Sequence, residues 1–85
     1  MNIHAKSTAK FGMIRQLNKV AEECSELSSA INKFLAGEGQ CSEIIEEAAD
    51  VKFCLGYLDL YFGEKEIELV VQKKIERLAK KLDEC

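Results

Sequence analysis

The sequence predicts an all-α fold, and three observations predict it. Apolar residues recur every three or four positions over most of the chain, glycines stand where those patterns stop, and no stretch alternates as a half-buried strand does. Phe11, Ile14, Leu17, Ala21, Cys24, Leu27, Ile31 and Phe34 share helical spacing and define a first long helix. It should end near Ala36, with Gly37 as its C-terminal cap. The segment GEGQCS then reads as a short loop, with Ser42 capping the next helix and Glu43 favourably placed in its first turn. Ile44, Ala48, Val51, Leu55, Leu58 and Phe62 mark the second helix, stopped at Gly63, and Ile67, Val71, Ile75, Leu78 and Leu82 mark the third. Residues 2–10 allow a short extra helix before Gly12.

With 85 residues the chain reads as a single domain, 1–85, a helical bundle of three main helices. A lone chain of this length buries only about two-thirds of its unfolded surface. The second helix also carries a second apolar strip, since Phe53 and Leu60 point roughly 120–140° away from Ala48. A helix that is apolar on two sides is buried on two sides. The second face is therefore expected to meet another protomer, a homodimer that completes a four-helix-type core.

Composition removes several classes of function. A net charge of −3 argues against a surface for a nucleic-acid polymer, which needs clustered Lys and Arg. No uncharged run approaches the roughly 18 apolar residues of a membrane span, and the opening MNIHAKSTAKFG lacks the apolar stretch of a signal peptide. A cytoplasmic protein is the default expectation. Cys24, Cys41, Cys54 and Cys85 form no C-x-x-C pair and His4 is the single histidine, so a zinc site is disfavoured and buried free thiols are expected. His4 lies near a frayed end and receives no role.

The chemistry sits in two matching acidic knots. EECSEL places Glu22, Glu23 and Glu26 ahead of Leu27, and EEAADV places Glu46, Glu47 and Asp50 ahead of Val51. With Cys24 as a core position, Glu23 and Glu26 lie about 100° and 160° to one side, and Glu47 and Asp50 take the same offsets from Ala48. Pairs three residues apart are neighbours on a helix surface. If the two helices pack antiparallel the pairs can converge at the edge of the core; the angles leave open whether that happens within one chain. Gathered carboxylates repel unless cations intervene, and such hard oxygen ligands suit Mg²⁺, Mn²⁺ or Ca²⁺. The plainer reading is a set of solvated flank charges on amphipathic helices.

The third helix repeats the frame with opposite sign: in KIERL, Lys74 and Arg77 take the offsets from Ile75 that Glu23 and Glu26 have from Cys24. A cationic pair facing an anionic cluster suggests a phosphate-bearing substrate between them, and the plainer reading is cations near a helix C-terminus. Gln16 and Lys19 continue the carboxylate stripe, and Lys19 and Glu23 also stand at ion-pair spacing.

EECSE, a gap of twenty residues, then EAAD resembles the E-E-x-x-E…E-x-x-D signature of the all-α nucleoside triphosphate pyrophosphohydrolases, the MazG-like superfamily. The likeness runs from FGMIRQLNKVAEE through IIEEAADVKFCL to QKKIERL and is strongest to short single-domain members met in phages and their bacterial hosts. It implies a dimer, or a tetramer built as a dimer of dimers. It also implies Mg²⁺-dependent cleavage (Mn²⁺ as a substitute) of a nucleoside triphosphate to monophosphate and pyrophosphate. By that likeness Glu23, Glu26, Glu47 and Asp50 match the metal ligands, and Glu22 matches the leading Glu that orients or deprotonates the attacking water. Lys74 and Arg77 match the family's phosphate-contacting basic pair, and Gln16 and Lys19 a substrate-binding segment ahead of the motif. Two departures stand out: the region before Gln16 lacks the aromatic and polar elements that hold the base in longer relatives, and almost nothing follows the third helix.

The rival expectation is a non-catalytic helical oligomerisation or interaction module with an acidic flank, which the Phe53/Leu60 strip suits equally well. A di-iron carboxylate bundle needs Glu-x-x-His pairs and is set aside, because the only histidine is His4.

Overall fold

The structure is a computed structural model and describes residues 1–84; the expectation for Cys85 lies outside them. Four helices follow one another: α1 (Ile3–Phe11), α2 (Met13–Leu35), α3 (Cys41–Phe62) and α4 (Glu64–Asp83). Among the described residues there is no strand, and no helix is long and apolar enough to cross a membrane.

Local chemistry accounts for most boundaries. The Asn2 side chain accepts the Ala5 N–H at 3.1 Å and caps α1. Gly12, at φ 91°, then cuts the chain in a conformation that L residues rarely adopt, so Phe11 closes α1 instead of opening the long helix as its spacing suggested. α2 ends as expected: Gly37 takes φ 78°, its N–H reaches the Phe34 carbonyl at 3.0 Å, and the Glu38 N–H reaches the Lys33 carbonyl at 2.9 Å.

The start of α3 departs from expectation, because Gln40 occupies the cap without a side-chain hydrogen bond and Ser42 lies inside the first turn. The cause is the compact return of the chain at Gly39, where even a Cβ would stand 3.2 Å from the Lys33 Cβ and the Phe34 nitrogen. With the loop held that tightly against the end of α2, α3 begins at Cys41. Glu43 does lie in its first turn.

α2 and α3 form an antiparallel hairpin, with Val20, Cys54 and Tyr57 at its centre and Leu58 and Tyr61 packed against them. The buried face of α2 is Gln16, Val20, Glu23 and Ala30. This corrects the core read from spacing. Cys24 is exposed, Ile14 is 77% exposed, and Ala21, Ile31 and Phe34 also face outward. Two helices cover only the faces they turn to each other, and the apolar stripe of α2 lies about 110° round from that face. On α3 the same side presents Leu55 and Phe62, both exposed. Cys41 is exposed too, so of the described thiols only Cys54 is buried as expected.

α1 crosses the other side of the hairpin without burying any residue of its own. It is held by polar contacts: Ser7 bonds the Tyr57 hydroxyl at 2.7 Å and Thr8 bonds the Tyr61 hydroxyl. His4, given no role from sequence, packs tilted against Phe53 and edge-on to Tyr57, with both ring centroids 4.7 Å away, and its Nε2 meets the Phe53 carbonyl oxygen at 2.7 Å. Gly56 makes the room, since a Cβ there would run into the imidazole. Part of the Phe53 strip expected to meet another protomer is thus covered by the chain's own first helix.

α4 packs against α3 alone, and beyond Ile67 every described residue of it is exposed. The radius of gyration is 16.1 Å, where a compact chain of this length reaches about 12 Å.

Candidate metal centre

The hairpin brings three of the four expected metal ligands together within one chain. One carboxylate oxygen each from Glu23, Glu26 and Glu47 lie within 4.8 Å of one another. Glu23 and Glu26 stand one turn apart on α2, and the antiparallel register carries Glu47 of α3 alongside them. The three sit at different depths, with Glu23 buried at 8% exposure, Glu47 half-buried and Glu26 exposed. Asp50, one turn beyond Glu47 and exposed, stays outside the tight triad but close enough to act on both Glu23 and Glu47.

The electrostatics are those of a site short of positive charge. Burial first, then the charges of Glu26 and Asp50, push the Glu23 carboxyl above its ordinary value, with Lys19 pulling weakly the other way. Glu47 is pushed up by the same causes in the same order. The Lys19 ammonium reaches Glu23 Oε1 only at 4.0 Å. Glu23 Oε2 and Glu47 Oε2 are buried with no hydrogen-bond partner at all. Leaving a buried acceptor unpaired is costly, and such oxygens can be satisfied by a cation or by a proton shared between the carboxyls. Hard oxygens at this spacing fit a divalent ion of the Mg²⁺ or Mn²⁺ type, and among the described residues no imidazole or thiol belongs to the cluster, which disfavours softer metals. Cys54 does sit beside the triad, but burial and then the Glu23 charge push its thiol up, away from the thiolate a metal needs.

Around the triad the remaining expected residues divide. Gln16, Lys19 and Glu22 line one open groove, which continues to the α1–α2 joint with Phe11, Gly12 and Arg15. Gln16 is buried, at 5% exposure, whereas Lys19 and Glu22 are exposed. The Arg15 guanidinium stands 5.0 Å from the Phe11 ring centroid at this joint. Sequence reasoning missed this groove because it placed Phe11 within the long helix; Gly12, the breaker inside an apolar repeat, was the available signal. On the opposite side, Ser29, Lys33, Glu43 and Glu46 border the triad.

Lys74 and Arg77 are not brought to the carboxylates of their own chain. Both are exposed on α4, which does not touch α2, and neither forms an ion pair among the described residues. No family model matches the chain, and no curated protein or solved structure matches it significantly.

Proposed function

We propose that this chain is a divalent-metal-dependent nucleoside triphosphate pyrophosphohydrolase, converting (d)NTP to (d)NMP and pyrophosphate in nucleotide-pool control or house-cleaning. The observation that carries the reading is the convergence of Glu23, Glu26 and Glu47 with two buried, unpartnered oxygens. The likeness to the MazG-like superfamily supplies the substrate class, and the acid spacing in the sequence supports it.

In this reading Glu23, Glu26 and Glu47 hold Mg²⁺, with Asp50 completing the set. The ion, when bound, neutralises polyphosphate charge and makes a water more acidic. Glu22, exposed in the Gln16/Lys19 groove and next to Glu23 in sequence, orients that water and accepts its proton. Lys19 and Gln16 lie along the groove next to Glu22 and contact the substrate there. Lys74 and Arg77 stabilise charge that grows on the phosphates. Phosphoryl transfer asks little more of a protein than positioning and electrostatics, which suits a helical scaffold without a nucleophilic triad. The exposed apolar side of the α2/α3 hairpin pairs with a second copy, so that four helices close one core in a homodimer or a dimer of dimers.

The same apolar exposure favours one other reading, a non-catalytic helical interaction module. A single experiment separates them: purified protein is offered the common and modified nucleoside triphosphates with Mg²⁺, and pyrophosphate release is recorded. The enzyme reading expects release that stops without divalent metal and in Glu47→Gln. Equal, negligible release from wild type and Glu47→Gln across the whole panel, with no saturable Mg²⁺ or Mn²⁺ binding, leaves the interaction module.

A further inference from the structure

We infer that the cationic half of α4 docks on the acidic face of a second copy of this chain, so that Lys74 and Arg77 complete their partner's carboxylate site and not their own. The docking stands on packing and charge; its part in catalysis rests on the pyrophosphohydrolase reading.

Three observations lead there. First, α4 is unfinished. Val71, Ile75, Leu78 and Leu82 are 39%, 53%, 57% and 66% exposed, yet with Ile67 they form one stripe about 80° wide, the signature of a helix meant to be covered. Lys74 and Arg77 follow one edge of it, about 60° and 120° from its midline on the same side. Second, the arm does not reach its own site. Beyond Gly63, α4 meets α3 alone and does not touch α2, and every described residue of it after Ile67 is exposed.

Third, the hairpin carries the charge that α4 lacks, and the reverse. Glu26, Glu47 and Asp50 gather around Glu23, whose side chain is 11% exposed with one oxygen unpartnered, and Glu22 and Glu46 adjoin them in sequence. From residue 73 to 83, α4 holds five bases against two acids. Surplus anions on one part of a chain and surplus cations on another are self-complementary, and a two-fold axis satisfies both contacts at once. Twenty residues make an arm of about 30 Å, enough to cross helices spaced about 10 Å apart.

The test reads chain identity directly. Isotope-labelled and unlabelled chains are refolded together and treated with a carbodiimide, which joins a Lys amine to a carboxylate in contact with it. Mass spectrometry then reports which peptides are linked. The expected product joins the Lys74 peptide to one carrying Glu22, Glu26, Glu46 or Asp50, with half of the links mixing labelled and unlabelled peptides, on a particle of about 19 kDa or a multiple, twice the 9.6 kDa chain. Links only within one isotope, no Lys74 link, or a 9.6 kDa particle at micromolar concentration overturns the inference.

Complementation supplies the functional arm. Glu47→Gln is refolded with Lys74→Ala/Arg77→Ala, so that half the dimers are mixed and each mixed dimer holds one intact site; turnover should return to about a quarter of wild type. No return above the separate variants overturns the shared site. Mixed links without turnover in wild type sink the catalytic reading and keep the docking, whereas turnover without mixed links does the opposite.

Discussion

α1 and α4 flank the same hairpin and are attached to it in opposite ways. α1 has nine residues, buries none of them, and is fastened by hydroxyls and a packed imidazole. α4 has twenty residues and an unbroken apolar stripe, yet it touches α3 alone. The difference separates two kinds of incompleteness. A short polar helix can be finished within its own chain by directional bonds, each worth about 1 kcal/mol. A long amphipathic helix is finished only by covering area, and here the area lies outside the chain.

The largest effect is expected at the centre the hairpin builds. Glu47→Gln and Glu23→Gln should lower turnover by more than the ten- to hundredfold typical of losing an outer-shell metal partner, without loss of helicity, as read by pyrophosphate release and circular dichroism. Turnover near wild type in either variant removes that residue from the metal set.

Next comes α4. Ile75→Asp and Leu78→Asp put charge into an exposed stripe, so the single chain should keep its fold while the carbodiimide links from Lys74 to the partner's acids are lost. Links that persist unchanged would show that this stripe covers nothing.

α1 should respond more modestly. Gly56→Ala drives a methyl into the His4 ring and is expected to cost about 1–3 kcal/mol in denaturant unfolding. Tyr57→Phe removes one hydroxyl bond and should cost about 1 kcal/mol. If neither changes stability, α1 is not fastened as described.

The smallest effect is a pH dependence. Glu23 and Glu47 are pushed above 4.5, so the folded metal-free chain binds more protons than the unfolded one between 4.5 and their raised values. Their contribution to stability therefore rises as pH falls through that window, and is lost as pH rises through the raised values. Melting of chelated protein should show this slope, Glu23→Gln should reduce it, and saturating Mg²⁺ should flatten or reverse it. A slope unchanged in Glu23→Gln would assign it to other groups.

Much of the fold was legible because helix periodicity and glycine stops are local. The ends at Gly37 and Gly63 follow from backbone freedom alone. The core was not legible in the same way. The repeat through Ile14, Ala21, Cys24 and Ile31 marks a surface that needs covering and does not say by what, so reading it as an intrachain core put Cys24 inside and Glu23 at the edge, the reverse of their places. Three of the four acids, Glu23, Glu26 and Glu47, still converge because their mutual spacing does not depend on which face is buried, while Asp50 stays outside the tight group. Lys74 and Arg77 met the opposite fate. Their spacing matched, but the direction in which α4 leaves Gly63 is set by one residue's dihedral angles, which no periodicity encodes.

That residue has a mechanical consequence. Gly63 holds φ 101° and ψ 113° and is the sole link between two helices of twenty or more residues. A lever of about 30 Å magnifies small rotations at its fulcrum, so a swing of about 10° carries the tip of α4 through about 5 Å. Evolution could therefore retune where the far end of the chain lands, and with which neighbour, by altering one hinge and leaving every surface untouched.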